Sequence, residues 1–111
     1  MTSEAKFGHH AAIEPVEMLP GVVRRTLVWG EQAMVCEFTI RQGAVIPPHR
    51  HVHEQVGYMA SGRLEFTVEG VPQVVGPGDG YAIPSNALHS VVALEDAVAI
   101  DVFTPIREEY K

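Results

Sequence analysis

Histidine can ligate a divalent metal, carry a proton near neutral pH or simply sit in water, and its neighbours decide which. Three of the six histidines of this chain fall in one stretch, 47-PPHRHVHEQVGYMASG-62, as His49, His51 and His53. Residues two apart on an extended strand project to the same face. His49 and His51 can therefore aim two imidazoles at one point, a geometry that suits a divalent metal. Two ligands alone bind weakly, so further donors are needed. Gln55 shares their parity and opens an apolar run, where its amide oxygen can reach the same point, while Glu54 has the opposite parity and faces away. His89, downstream of Pro84, begins another extended run and can supply a third imidazole. His9 and His10, near the start of the chain, read as solvated side chains.

The elements that must hold these groups are short. Glycine and proline punctuate the chain at Pro20-Gly21, Gly30, Gly43, Pro47-Pro48, Gly62, Gly70, Gly76-Pro77-Gly78 and Pro84. Between them lie runs rich in Val, Ile, Phe, Tyr and Thr, which predict strands at about 22–29, 33–40, 54–60, 63–69, 73–75, 81–83, 89–93 and 97–103. Residues 13–19 could add an outer strand. The run 63-RLEFTVEG-70 puts Leu64, Phe66 and Val68 on one face and Arg63, Glu65, Thr67 and Glu69 on the other, a strand with one dry side. No segment sustains a 3.6-residue period. The fold class expected is all-β, a sandwich or barrel. Residues 1–111 form a single domain with a loose arm over 1–12.

Composition narrows the function classes. A chain of 111 residues has room for one core. Its formal charge of −6, with Lys and Arg scattered, argues against nucleic-acid binding, which needs clustered cations facing phosphates. Arg24 and Arg25 are the one adjacent basic pair, read as one in and one out on a strand. No apolar run approaches the roughly 18 residues of a membrane helix, and no secretory signal is visible at the start. The single cysteine, Cys36, excludes a disulfide framework; in the alternating run AMVCEFTI it reads as a buried, inert thiol. A reducing cytoplasm is the default location.

The spacing of these residues resembles the two motifs of a small single-domain cupin. The first runs Gly43, His49, His51, Gln55, Gly62, with glutamine where the family usually has glutamate; the second runs Gly78, Pro84, Asn86, His89, Ala93, with Asn86 for glycine and Ala93 for asparagine. Asparagine tolerates the left-handed turn that glycine serves there. The motifs span 43–93, and the resemblance implies a double-stranded β-helix, or jelly-roll barrel. It also implies one divalent first-row metal (Ni, Fe, Zn, Mn or Co) on His49, His51, Gln55 and His89. The family pattern turns the chain between His51 and Gln55, which should release His53. Where glutamate would cancel one unit of the metal's charge, glutamine leaves a full dication, a stronger Lewis acid that attracts anions.

A cupin fold alone decides little about function. The stretches HVHEQVGY, IPSNALHS and ALEDAVAIDVFTPIREEY resemble the small cupins of pectin and alginate breakdown. Those proteins open 4,5-unsaturated uronate monosaccharides to the linear keto form, so the resemblance implies a small anionic sugar-like substrate. Along 97-AVAIDVF-103, Ala97, Ala99, Asp101 and Phe103 share one face, a cavity wall with reactive groups at its mouth. Asp101 is then the candidate acid/base, or else a paired structural carboxylate. Arg107 could fork onto a substrate carboxylate, or pair with Glu108 or Glu109. The same resemblance implies a homodimer, with residues 13–29 as the expected contact. Two rivals remain at this level: an iron-dependent dioxygenase, and a non-catalytic sugar- or metal-sensing module.

Overall fold

The computed structural model describes residues 4–111. Among the described residues there are ten strands: β1 Val16–Leu19, β2 Val22–Trp29, β3 Met34–Ile40, β4 Val45–His49, β5 Glu54–Ser61, β6 Leu64–Val68, β7 Val71–Val75, β8 Gly80–Ile83, β9 His89–Ala93 and β10 Ala97–Thr104. Two short 3₁₀ turns, His10–Ala12 and Glu108–Tyr110, complete the elements. The strands form a six-stranded sheet in the order β1-β2-β3-β10-β5-β8 and a four-stranded sheet in the order β4-β9-β6-β7. Every pairing is antiparallel. From β3 onward the chain passes back and forth between the sheets, and this winding is the expected double-stranded β-helix.

The alternation of the sequence is what closes the barrel. One side of the pleat of β10 buries Ala97, Ala99, Asp101 and Phe103, and one side of β3 buries Met34, Cys36, Phe38 and Ile40. From the smaller sheet Leu64, Phe66, Val91 and Ala93 meet them in the core. Each large apolar side chain so buried contributes roughly 1.5–3 kcal/mol. At one end of the barrel Phe38, Phe103 and Tyr110 meet edge to face, with ring centroids 5.7–6.3 Å apart. This cluster seats the C-terminal turn against β2, where the Thr26 hydroxyl donates to the Tyr110 carbonyl.

Two differences from the sequence expectation concern edges. No strand was predicted over β4, where Pro47 and Pro48 punctuate the sequence. This strand lies at the edge of its sheet, with an irregularity in its register between Ile46 and His49. Prolines, which have no N–H to donate, are tolerated at such a place. The outer strand expected over 13–19 forms only from Val16, as the edge of the larger sheet. Of the expected arm 1–12, residues 1–3 lie outside the described residues. The remainder follows β2 and β3: Gly8 sits so close to the Leu27 carbonyl that a Cβ would overlap it, and His10 Nε2 lies 2.8 Å from Glu37 Oε1.

Asn86 occupies the left-handed region, φ +64°, the conformation for which asparagine substitutes for glycine. Arg24 points inward, stacked 4.3 Å from the Tyr110 ring centroid, and Arg25 pairs with Glu37 at 3.6 Å, one in and one out. Cys36 is fully buried, and burial pushes its thiol above the ordinary range. The thiol should therefore be silent toward Ellman's reagent in the folded protein, and one equivalent should appear on denaturation. Rapid reaction of the native protein would contradict the packing of β3.

Candidate metal centre

His49 ends β4, His89 begins β9, and the two are paired in register across the smaller sheet. His51 follows on the loop out of β4. The three rings pack together, with centroids 4.2 Å apart for His49–His89, 5.0 Å for His51–His89 and 5.5 Å for His49–His51. One nitrogen from each lies within 4.8 Å of the others.

The hydrogen bonds decide which nitrogens these are. His49 Nδ1 lies 3.0 Å from the Pro47 carbonyl, His51 Nδ1 2.9 Å from the His53 carbonyl, and His89 Nδ1 2.8 Å from the Ala87 carbonyl. A carbonyl only accepts, so each Nδ1 carries the proton and each Nε2 presents a lone pair. The Nε2 atoms of His51 and His89 are buried with no hydrogen-bond partner. Acceptors left so cost free energy unless a cation meets them. Burial first, and the Arg107 cation second, push the His51 imidazole down to about 4; burial lowers His89 as well. Both are neutral at pH 7, the form a metal requires. The donor set fits a divalent metal.

Gln55 and Asp101 lie beside the histidines on the larger sheet. Gln55 is 8% exposed and Asp101 4%. The Gln55 amide nitrogen donates to Asp101 Oδ2 at 3.0 Å, which commits its nitrogen and leaves its oxygen free to face elsewhere. The Tyr81 hydroxyl donates to Asp101 Oδ1. Burial pushes Asp101 up to about 7, against the opposing pull of the Tyr81 and Gln55 bonds. Its proton affinity thus lies where acid/base chemistry is efficient. A glutamate at position 55 would set a second carboxylate across the 3.0 Å gap that the amide now bridges.

These groups line one cavity of about 310 Å³, whose wall includes His49, Gln55, Tyr81, His89, Asp101 and Arg107. Phe103, 1% exposed, forms part of the wall and packs edge-on against His51, centroids 5.9 Å apart. Arg107 lies 3.9 Å from the Tyr110 ring centroid and 5.0 Å from that of Phe103. Of the two readings of Arg107, the pairing with Glu109 is present, its Nε donating to Glu109 Oε1 at 2.9 Å, and the residue also lines the cavity. Glu108 is instead engaged by Lys111 at 3.1 Å. His53 is outside the convergent group, and its backbone carbonyl serves His51. Tyr81 was not singled out from the sequence. Its pairing opposite Gly57 is a matter of strand register, which no local pattern in the sequence signals.

The depressed His51 has a consequence for stability. Its folded proton affinity lies below the unfolded one, so its contribution is present above about pH 6.5 and is lost as pH falls toward about 4. Metal-free protein, followed by thermal melting, should lose stability across that window. The loss should be shallower in His51→Gln; an identical slope in the variant would contradict the burial of this ring.

A profile of the cupin-domain family matches residues 36–103, most of the barrel and both motifs. The chain is 34% identical over 96 residues to the pectin degradation protein KdgF of Dickeya dadantii (strain 3937), covering 85% of this chain and 87% of that protein. Among solved structures, KdgF from Halomonas sp. superposes with a TM-score of 0.91 at 31% identity, over 97% of this chain and 100% of that one. An RmlC-like cupin from Shewanella frigidimarina NCIMB 400 superposes with a TM-score of 0.90 at 28% identity, over the full length of both chains. Among the described residues no helix is long and apolar enough to cross a membrane. The match in sequence spans the same strands that carry the histidines, and on that ground this protein is a member of the cupin family and a relative of KdgF.

Proposed function

We propose that this protein is a metal-dependent enzyme that opens the ring of 4,5-unsaturated uronate monosaccharides to their linear keto form. The observation that carries the reading is the Gln55–Asp101 pair set against three convergent histidine Nε2 atoms. The kinship with KdgF, named for pectin degradation, supports a uronate as the substrate class. A cavity of about 310 Å³ is at the small end of ligand pockets, which suits one sugar ring.

His49, His51 and His89 would hold one divalent first-row ion through Nε2, with the Gln55 amide oxygen as the fourth ligand. When bound, the metal supplies Lewis-acid polarisation of sugar oxygens. The four ligands are neutral, so the site keeps the full attraction for an anion. Arg107, its Nε committed to Glu109, turns its remaining guanidinium donors to the substrate carboxylate. Phe103 holds His51 and Arg107 in place by shape and keeps water from that side.

The remaining work is proton transfer. Ring opening takes a proton from the anomeric hydroxyl and breaks the bond between the anomeric carbon and the ring oxygen, leaving the electron pair on oxygen. The resulting enol becomes the ketone when a proton is delivered to carbon 4. Water is neither consumed nor released. Asp101, ionised as an acceptor of two hydrogen bonds, takes the first proton and returns it to carbon. We also assign a homodimer, formed through the β1 edge, where Val16 and Leu19 are exposed. A reducing cytoplasm suits its single buried thiol.

The direct test follows unsaturated galacturonate by proton NMR with metal-loaded protein. Wild type should open the ring and chelator-treated protein should not; closed sugar in both would overturn the reading. His51→Ala should lose the metal by elemental analysis, and His53→Ala should keep it. Asp101→Asn should cut turnover by roughly 10²–10⁴-fold with metal content unchanged, the usual worth of a positioned acid/base. Arg107→Ala should instead raise KM more than it lowers kcat. For the assembly, light scattering at micromolar concentration should give twice the chain mass; a monomer would exclude the β1 contact.

A further inference from the structure

Asp101 lies in a lateral row of the larger sheet that reads Thr26, Cys36, Asp101, Gly57, Tyr81 across β2, β3, β10, β5 and β8. Its immediate neighbours in the row are a thiol and a glycine. Neither offers a strong donor, so the carboxylate's support comes from farther away. Tyr81 is two strands off, and its hydroxyl reaches Asp101 Oδ1 only because position 57 has no side chain. A Cβ at Gly57 would overlap both the Tyr81 ring and that carboxylate oxygen. The Tyr81 ring also packs on Phe66, centroids 4.5 Å apart, a contact that restrains it at the notch.

The direction of the bond is also fixed. Burial, then the Asp101 charge, raise the Tyr81 hydroxyl above its ordinary range, so it stays protonated and donates. The Gln55 amide occupies the other carboxylate oxygen. Held at both oxygens from two different strands, the carboxylate has one plane available to it. A carboxylate offers about four lone-pair sites, so two remain for a reacting group.

We propose that Tyr81 is a positioning residue for proton transfer: reaching across the notch at Gly57, its hydroxyl holds the Asp101 carboxylate in the plane from which Asp101 meets the sugar. This rests on the ring-opening reading and deepens it. Tyr81 acts through Asp101, and two consequences separate this from a bond that only stabilises the barrel. Loss of the hydroxyl slows the bound reaction without weakening substrate binding, and it has nothing further to remove once Asp101 itself is gone.

The experiment uses the metal-loaded full chain as wild type, Tyr81→Phe, Asp101→Asn and the double variant. Tyr81→Phe should lower kcat by roughly 10–100-fold, the scale of a misplaced reacting group, with KM within about twofold and metal content unchanged. In the Asp101→Asn background the same change should cost nothing more. Full activity in Tyr81→Phe, or an equal further loss in the double variant, overturns the proposal. A second measurement does not depend on turnover. Wild type should show a slowly exchanging downfield hydroxyl proton by NMR, absent in Tyr81→Phe and moved upfield in Asp101→Asn. Its absence from wild type overturns the hold of Tyr81 on Asp101. If the resonance is present but the sugar stays closed, the ring-opening reading falls and the hold of Tyr81 on Asp101 stands.

Discussion

Three backbone carbonyls decide what this barrel can do. Pro47, His53 and Ala87 each accept the Nδ1 proton of a histidine two residues away, and so turn three Nε2 lone pairs toward one another. The ends of β4 and β9 and the loop after β4 deliver the imidazoles to one place; these carbonyls fix the tautomer and the ring plane. Without the carbonyl bonds the rings would be free to rotate, and the two buried Nε2 atoms could escape to water. The arrangement is costly for the empty barrel, because it buries acceptors without donors. On the proposed reading, a cation held between the Nε2 atoms would offset that cost.

The second feature is where the negative charge sits. Cupins usually bring a glutamate to the position of Gln55. Here that position is neutral, and a carboxylate stands one layer behind it on Asp101, joined to the amide by a 3.0 Å bond. On the proposed reading this separates two jobs that one glutamate cannot do together. The ligands stay neutral, so an anionic sugar is drawn to the site, and the charge that would have been spent on the metal is kept as a base. The bond also orients Gln55, since the nitrogen is held by Asp101 and the amide oxygen must face the other way.

Much of this was legible in the sequence because strand parity is a strict rule. Parity put Asp101 on the buried side of β10 with Ala97, Ala99 and Phe103; it did not bring His49 and His51 together, because β4 ends at His49 and the His53 carbonyl holds the His51 ring on the loop that follows. His89 was legible as the start of an extended run, and the family spacing joined it to His49 and His51; its pairing with His49 across the smaller sheet is set by register. Asn86 at a positive φ was legible for the same reason as a glycine would be. Strand β4 was hidden because two prolines look like a turn unless the strand is known to be an edge. Tyr81 was hidden because its partner is set by lateral register over three strands, and register depends on pairings that periodicity does not specify. The role of Gly57 was illegible for a related reason: an absent side chain matters only once its neighbours are known.

The central claim is that three histidine nitrogens and one amide oxygen make a neutral site, with the carboxylate of Asp101 held behind it. X-ray absorption spectroscopy on the metal-loaded protein tests this most directly, comparing wild type with Asp101→Asn. The account predicts three imidazole rings and one oxygen donor at about 2.0–2.2 Å, with a first shell nearly unchanged in the variant. A shell of only two imidazoles, or loss of an oxygen scatterer in Asp101→Asn showing that the carboxylate itself binds the ion, would contradict it.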